Sequence, residues 1–243
     1  MVGMKKAAAV LAGVGLLVSG AAQATLWDRG GGLIYDDVLN ITWLKDPNYA
    51  KTSNYDADGL MTWSAAKIWA DELIYHDSVR NVDYDDWRLP FVTDTGSSGC
   101  NYAYTGTDCG TNVQTASGST VYSELAYMWY VNLGNKAYYN AAGSGPQLGW
   151  GLGDNPFTNI PNIYWSGTAY DAPYSGYPGS RAWYLNSGDG SQYHGRQDWV
   201  FSAWAVRPGD VAAAVEVPEP TSLALLGVGL AGLALGRRPF GAS

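Results

Sequence analysis

The stretch from residue 62 to residue 75, TWSAAKIWADELIY, decides how the middle of this 243-residue chain folds. Its apolar residues recur at helical spacing and form one stripe: Trp63, Ala66, Trp69 or Ala70, and Leu73. Thr62 is suited to cap the N-terminus, because its hydroxyl can accept a hydrogen bond from an unpaired backbone N–H. The pattern predicts an amphipathic helix over 62–75, and its tryptophan stripe is interpreted as core, with a ligand platform as the alternative.

The segments around this helix predict a second helix and several strands. Residues 120–135 keep helical spacing and end at Gly134-Asn135, a typical helix stop. Apolar and polar residues alternate in five shorter segments, which predict strands at 33–35, 41–44, 163–170, 181–195 and 201–210. Within 181–195, the stretch Ser187-Gly188-Asp189-Gly190 predicts a hairpin turn. Two helices within a strand-rich chain with many loops predict an α+β domain.

Several of these segments, in this order, resemble the Lcl C-terminal domain family. They are TWSAAKIWADEL, DWRLP, YWSGTAY with AWYLNSGDGSQ, and WAVRPGD, and the resemblance covers about residues 33–210. The resemblance implies a fold like that of C-type lectins and formylglycine-generating enzymes, with two helices, small antiparallel sheets and long loops. It also implies a link to sulfated polysaccharides, although the acidic composition of this chain departs from that expectation.

The N-terminus has the three parts of a secretory signal peptide. Lys5 and Lys6 precede an apolar stretch from Ala7 to about Val18, and Ala22-Gln23-Ala24 supplies the small residues of a cleavage site. The apolar stretch is shorter than the roughly 20 residues that span a bilayer. We therefore predict a signal peptide over 1–24, a domain over 25–211, and a linker with a sorting signal over 212–243.

The C-terminus, VPEPTSLALLGVGLAGLALGRRPF, resembles a PEP-CTERM sorting signal. Its characteristic residues are Val217, Pro218, Glu219, Pro220, Arg237 and Arg238. The resemblance implies that residues 221–236 form a hydrophobic sorting helix that is inserted transiently into the inner membrane of a Gram-negative bacterium. Signal peptidase and an exosortase would be the processing partners, and the product would be secreted or held at the outer cell surface, in association with exopolysaccharide or biofilm.

The charge of the chain excludes some partners. Residues 25–216 hold 21 acidic and 10 basic side chains, so their net charge is near −11. Nucleic-acid binding needs a basic surface for the phosphates, and this composition argues against it.

The two cysteines, Cys100 and Cys109, lie in a glycine-rich stretch of an exported chain. This setting favours a local disulfide. The alternative is a metal or redox pair, for which the CxxC spacing is lacking.

Candidate catalytic and metal-binding residues are few. Asp56-x-Asp58-Gly59 matches only the start of a calcium loop, so a solvated turn is the expectation. His76 is expected at the end of the first helix, where the dipole favours a cation.

Ser191, His194 and Asp198 could be combined into a triad, but no nucleophile motif accompanies them. Arg88 is either an ion-pair partner or a substrate clamp. We predict no catalytic residue, no metal and no cofactor.

The aromatic content points towards binding. The chain has 11 Trp and 18 Tyr, and such rings can stack on sugars. Four tyrosines in loop-like stretches are candidate ligand contacts: Tyr170, Tyr174, Tyr177 and Tyr193. The prediction is a non-catalytic surface or matrix protein that binds glycan or a partner protein. The alternatives are a hydrolase of envelope glycans and a purely structural matrix component.

Overall fold

The computed structural model describes residues 25–93, 102–170 and 179–211. The signal peptide, the sorting segment, Cys100, Tyr174 and Tyr177 lie outside these residues. The described part is an α+β arrangement of small antiparallel sheets and short helices, as predicted. Within it, no helix combines the length and the apolar character that crossing a membrane requires.

A four-stranded sheet forms one side of the domain. Its strands lie in the order β1 (Leu26–Gly30), β2 (Leu33–Asp36), β3 (Ile41–Leu44) and β11 (Val206–Pro208), all antiparallel. The β2–β3 hairpin confirms the strands predicted at 33–35 and 41–44. Asp36 shapes its turn, because Oδ1 accepts hydrogen bonds from the N–H groups of Val38 and Leu39.

The predicted central helix is confirmed over Trp63–Asp71 (α2), after a short helix at Tyr49–Thr52 (α1). The Thr62 hydroxyl accepts a hydrogen bond from the Ala65 N–H, which is the predicted cap. Ala66, Trp69 and Ala70 are buried, so the stripe is core. The helix is shorter than predicted because the chain turns at Glu72 and enters strand β4 (Tyr75–Asp77), which pairs with β5 (Val82–Tyr84).

The second helix begins later than predicted. Residues Thr120–Val121 form β7, which pairs with β6 (Ala116–Ser117), and helix α3 covers Glu124–Tyr127. Ser123 caps α3, since its hydroxyl accepts a bond from the Ala126 N–H. The helix continues as a π-helical turn over Met128–Asn132, before Gly134 takes a left-handed conformation.

A three-stranded sheet forms a second side of the domain and has two differently occupied faces. Its order is β10 (Gln192–Arg196), β9 (Arg181–Asn186) and β8 (Ile163–Ala169). One face turns towards α3, where Gln192 accepts a bond from the Ser123 hydroxyl. The opposite face holds Tyr184 directly across from Tyr193, and Trp165 across from Tyr184.

The segment predicted as a half-buried strand at 201–210 is more deeply buried than its alternation indicates. Residues 202–206 are all buried, and only Val206–Pro208 forms a strand. The Trp204 ring packs against Trp43, Phe157 and Tyr164, with centroids 4.6, 4.7 and 5.4 Å away. The segment therefore crosses the core between the two larger sheets.

Buried tryptophans link distant parts of the chain through their indole N–H groups. Trp165 donates to the Met61 carbonyl at 2.9 Å, and Trp204 donates to the Leu44 carbonyl at 2.8 Å. Trp129 donates to the Ser187 carbonyl in the β9–β10 turn. Each of these bonds joins segments that are far apart in the chain, while the ring itself fills core volume.

Candidate functional site

Five aromatic side chains form a continuous row on the outer face of the three-stranded sheet. We call this set the aromatic row: Trp199, Phe201, Tyr184, Tyr193 and Tyr102. The successive ring centroids are 6.2, 4.9, 6.2 and 5.5 Å apart. Trp199 and Tyr102, at the two ends, are 45% and 59% exposed, and the three inner rings are half-buried.

The sheet fixes the centre of the row. Tyr184 and Tyr193 are opposite each other in the β9–β10 ladder, so their side chains share one face. Phe201 lies over Tyr184 and Trp165 because its backbone exchanges two hydrogen bonds with Met61, at 2.9 and 3.0 Å. The inner rings consequently have little freedom to rearrange.

A glycine places Trp199 at one end of the row. A Cβ atom on Gly195 would lie 2.7 Å from Cε3 of Trp199 and 3.2 Å from Cε1 of Tyr184. Only a residue without a side chain lets the indole lie this close to β10. The Trp199 N–H donates to the Arg196 carbonyl at 3.0 Å, which closes the turn that carries the ring.

A second glycine places Tyr102 at the other end. Gly110 has φ of +110°, and a Cβ there would lie 1.8 Å from the Ala103 carbonyl oxygen. Gly110 also exchanges two 2.9 Å backbone hydrogen bonds with Gln192 of β10. These contacts bring the 102–110 loop against the sheet and set Tyr102 beside Tyr193.

The hydroxyls of the row are available to a ligand. Among the residues that the structure describes, those of Tyr184 and Tyr193 have no hydrogen-bond partner. Burial raises the pKa of both phenols, and the nearby Tyr102 and Asp189 raise the pKa of each further. Both hydroxyls are therefore neutral at physiological pH and can donate as well as accept.

Two of the tyrosines that were predicted to contact a ligand, Tyr193 and Tyr170, lie in different surroundings. Tyr193 belongs to the aromatic row. Tyr170 is only 3% exposed, and its ring stacks on His194 with centroids 3.8 Å apart. The expectation of a surface loop at Tyr170 was wrong, because the residue directly follows β8 and its backbone N–H donates to the Arg181 carbonyl of the neighbouring β9.

Each residue of the hypothetical triad contacts a residue other than its proposed catalytic partners. The Ser191 hydroxyl donates to Asp189 at 2.6 Å, and His194 faces Arg181 with 3.3 Å between Nδ1 and Nη1. Asp198 forms an exposed ion pair with Arg196. The three side chains therefore do not form a triad.

The other candidate residues, His76, Asp56 and Asp58, make hydrogen bonds within the protein. His76 lies in β4 rather than at a helix end, and its Nδ1 is 2.6 Å from Asp83 across the hairpin. Asp56 and Asp58 accept backbone N–H groups of their own turn, including that of Gly59. Over the described ranges, no three His, Cys, Asp or Glu side chains are grouped so that they could hold a metal.

Arg88 forms an ion pair with a buried carboxylate, although not with the neighbouring aspartates. Both terminal nitrogens lie 2.7 Å from oxygens of Glu124, which also accepts the Phe91 N–H. A cavity of about 690 Å³ adjoins this pair. Its lining consists of Lys67, Ile68, Asp71, Trp87, Arg88, Leu89, Phe91, Gly167 and Thr168. The guanidinium of Arg88 is thus already committed to Glu124.

Cys109 is disulfide-bonded and buried. Cys100, the other cysteine of the sequence, lies outside the described residues, so the pairing itself stays a prediction.

Residues 216–238 match the PEP-CTERM protein-sorting motif. The chain carries an exosortase sorting signal. The match includes all six residues that the sequence analysis assigned to the signal, and the prediction of this signal is confirmed. The motif indicates an extracellular protein that an exosortase sorts to the cell envelope or surface.

The body of the chain has no comparable match. No curated protein and no solved structure matches it. The similarity to the Lcl C-terminal domain, the lectin-like fold and the boundaries at 24 and 211 stay predictions.

The aromatic row itself was missed at the level of sequence, apart from Tyr193. A partial signal existed in RAWYLN, where Trp183 and Tyr184 must face opposite sides of one strand. Trp199 and Tyr102 reach the row from loops, and no local pattern indicates which sheet face a loop will cover.

Proposed function

We propose that this exosortase-sorted protein is a non-catalytic component of the cell surface or extracellular matrix that binds polysaccharide along the aromatic row. In this proposal the host is a Gram-negative bacterium and the ligand belongs to its exopolysaccharide or biofilm matrix. Signal peptidase and the exosortase process the two ends, with transient insertion of residues 221–236. The resemblance to the lectin-like Lcl domain family agrees with this role.

The observation that carries the proposal is the continuity of the row. Sugar rings present apolar C–H faces, and aromatic rings bind such faces while their polar atoms bind hydroxyl groups. Five successive rings at spacings of 4.9 to 6.2 Å offer an extended surface rather than a single pocket. An extended surface suits a polymer better than a monosaccharide.

The rigidity of the row adds to its capacity to bind. A ligand that meets preorganised side chains loses less of its binding free energy to ordering them. The inner rings are fixed by the β9–β10 ladder and by the Met61–Phe201 pairing. The hydroxyls of Tyr184 and Tyr193, which bond to no described residue, supply directional contacts that exchange with water at little cost.

Two matched pairs of variants test this proposal. Trp199→Ala and Tyr102→Ala remove the exposed ends of the row, whereas Trp27→Ala and Tyr55→Ala remove rings of similar exposure elsewhere, 47% and 53%. We expect each row variant to weaken binding to a polysaccharide that the wild-type protein binds by about tenfold, a typical loss when an aromatic contact is removed. The two controls should stay within about twofold of wild type.

The assay is equilibrium binding of the exported protein to a panel of soluble neutral, acidic and amino polysaccharides, with reducing ends measured in parallel. The proposal is contradicted if no polysaccharide binds, or if the control variants lose as much affinity as the row variants. Enzymatic release of reducing ends by the wild-type protein would contradict the non-catalytic part.

A further inference from the structure

Tyrosines and a carboxylate come together where the aromatic row ends at Tyr102. We define the tyrosine cluster as Tyr102, Tyr104, Tyr139 and Tyr193, with the carboxylate of Asp189 beside them. Tyr102 and Tyr193 have ring centroids 5.5 Å apart, and Tyr104 and Tyr139 have centroids 5.2 Å apart. We infer that this cluster binds the ammonium group of an unacetylated amino sugar, so that the preferred polysaccharide is cationic.

One side chain holds two of the tyrosine segments together. The side-chain amide of Asn112 donates to the Tyr104 carbonyl at 2.7 Å and to the Tyr139 carbonyl at 2.9 Å. The Asn112 N–H in turn donates to the Tyr130 hydroxyl, which donates to the Gly190 carbonyl of the β9–β10 turn. The cluster is therefore tied to the turn that carries Asp189.

The position of the Asp189 carboxylate is also fixed. Its Oδ1 accepts the Ser191 N–H at 2.9 Å and the Ser191 hydroxyl at 2.6 Å, and its main-chain carbonyl accepts the Tyr138 N–H at 3.2 Å. Within the described residues Oδ2 has no hydrogen-bond partner. Asp189 and the hydroxyls of Tyr102, Tyr104 and Tyr139 all raise the pKa of Tyr193, which agrees with their closeness.

These groups form an environment that favours a compact cation. The face of each aromatic ring attracts positive charge, and a cage of aromatic rings is a recurring arrangement for ammonium ligands. The half-buried Asp189 adds a full negative charge that the described residues do not neutralise with an ion pair. Arg181, the basic residue closest in the β9 strand, directs its Nη1 to His194 instead.

The overall negative charge of the chain also favours a cationic polysaccharide. Residues 25–216 carry a net charge near −11, which attracts a polycation and repels an anionic polymer over the range allowed by salt. An amino sugar combines both requirements, because its ring can stack on the row while its ammonium group enters the cluster. An N-acetylated sugar keeps the ring but lacks the charge.

This inference rests on the proposed function. Its test uses two ligands whose binding distinguishes a failure of the inference from a failure of the proposed function. The probes are glucosamine oligomers and N-acetylglucosamine oligomers of equal length, at a mildly acidic pH where the amine is protonated. We expect the wild-type protein to bind the glucosamine oligomer at least about fivefold more tightly. Raising the salt concentration should reduce that preference.

Asp189→Asn should lower the preference to the part that the overall charge contributes, because the amide keeps an oxygen for the Ser191 contacts but removes the charge. Asp71→Asn, an exposed acid on α2, is the matched control and should keep it. Tyr104→Leu is a second variant that leaves the turn intact, and it should lower the preference by removing one exposed ring. Circular dichroism and thermal unfolding verify that each variant is folded.

Equal binding of the two oligomers, with loss of both in Trp199→Ala, would overturn the inference and leave the proposed function standing. An undiminished preference in both Asp189→Asn and Tyr104→Leu would also overturn it. Failure to bind either oligomer would overturn the inference, and the proposed function would fall with it only if the whole polysaccharide panel were also negative.

Discussion

The core and the aromatic row use the same residue types in opposite ways. In the core, several indole and phenol groups donate to backbone carbonyls, as Trp165 does to Met61 and Tyr130 does to Gly190. In the row, the hydroxyls of Tyr184 and Tyr193 have no partner in the described parts of the chain. These core rings thus bond to the protein's own backbone, whereas the hydroxyls of Tyr184 and Tyr193 bond to no described residue and can bind another molecule.

This difference shows why the aromatic content of a sequence is ambiguous. A chain with small sheets and long loops must pair many backbone groups outside regular ladders, and tryptophan can do so while filling volume. Trp63, Trp165 and Trp204 each donate to a carbonyl at least 103 positions away. Bonds to distant carbonyls therefore identify only part of the structural set. Trp43, Trp183 and Tyr164 belong to it by burial, since their polar atoms bond to no described residue.

The largest expected effect is on stability, at Trp204. Trp204→Ala removes a ring that touches three other aromatic rings, together with the bond to the Leu44 carbonyl. We expect a loss of about 3–5 kcal/mol in the free energy of unfolding, measured by urea denaturation. Trp199→Ala is the matched change in the row and should stay within about 0.5 kcal/mol of wild type. Equal losses for the two would remove the distinction between core and row.

A smaller effect is expected when only a hydroxyl is removed. Tyr130→Phe leaves the Asn112 N–H and the Gly190 carbonyl without their partner, and should cost about 1–3 kcal/mol in unfolding free energy. Tyr184→Phe removes a hydroxyl that bonds to no described residue, so its stability should change by less than about 0.5 kcal/mol. The free energies of unfolding of the two variants are compared by thermal or urea denaturation. A loss for Tyr184→Phe as large as that for Tyr130→Phe would contradict the distinction between core and row.

Gly195→Ala, which perturbs the row without removing a ring, should affect stability less than Trp204→Ala or Tyr130→Phe. The added Cβ would lie 2.7 Å from Trp199, whose exposed indole can move away, and 3.2 Å from Cε1 of Tyr184, which need shift only by a few tenths of an ångström. We expect less than about 1 kcal/mol of destabilisation, but a loss of polysaccharide affinity close to that of Trp199→Ala. Unchanged affinity would show that the position of the indole does not matter for binding.

Local patterns in the sequence predicted a large part of this fold. The cap at Thr62, the stripe of α2, the β2–β3 hairpin and the β9–β10 hairpin all depend on neighbouring residues, and all are confirmed. The second helix was misjudged at its start, because the pairing of Thr120–Val121 with Ala116–Ser117 precedes the Ser123 cap. The full burial of residues 202–206 depends on both larger sheets, which alternation within one segment cannot reveal.

The candidate site was harder to predict, because it is built from loops and strands far apart in the chain. Tyr193 was identified, but Tyr102, Trp199 and Phe201 reach it through contacts across the fold. Tyr170 illustrates the opposite error, since a tyrosine near a loop proved to be part of a small core with Trp183 and Val92. The sorting signal was predictable in full because it is read as a linear motif, independent of tertiary structure.

The central claim is that the row, and not the exposed aromatic surface in general, binds polysaccharide. The most direct measurement follows the indole Nε1–H resonances of Trp199 and Trp27 by NMR while a polysaccharide that binds the protein is added. The two rings have nearly equal exposure, 45% and 47%, so both would respond to non-specific adsorption. Our account predicts that the Trp199 signal shifts in a saturable way while the Trp27 signal stays in place. A shift of both signals, or of Trp27 alone, would contradict it.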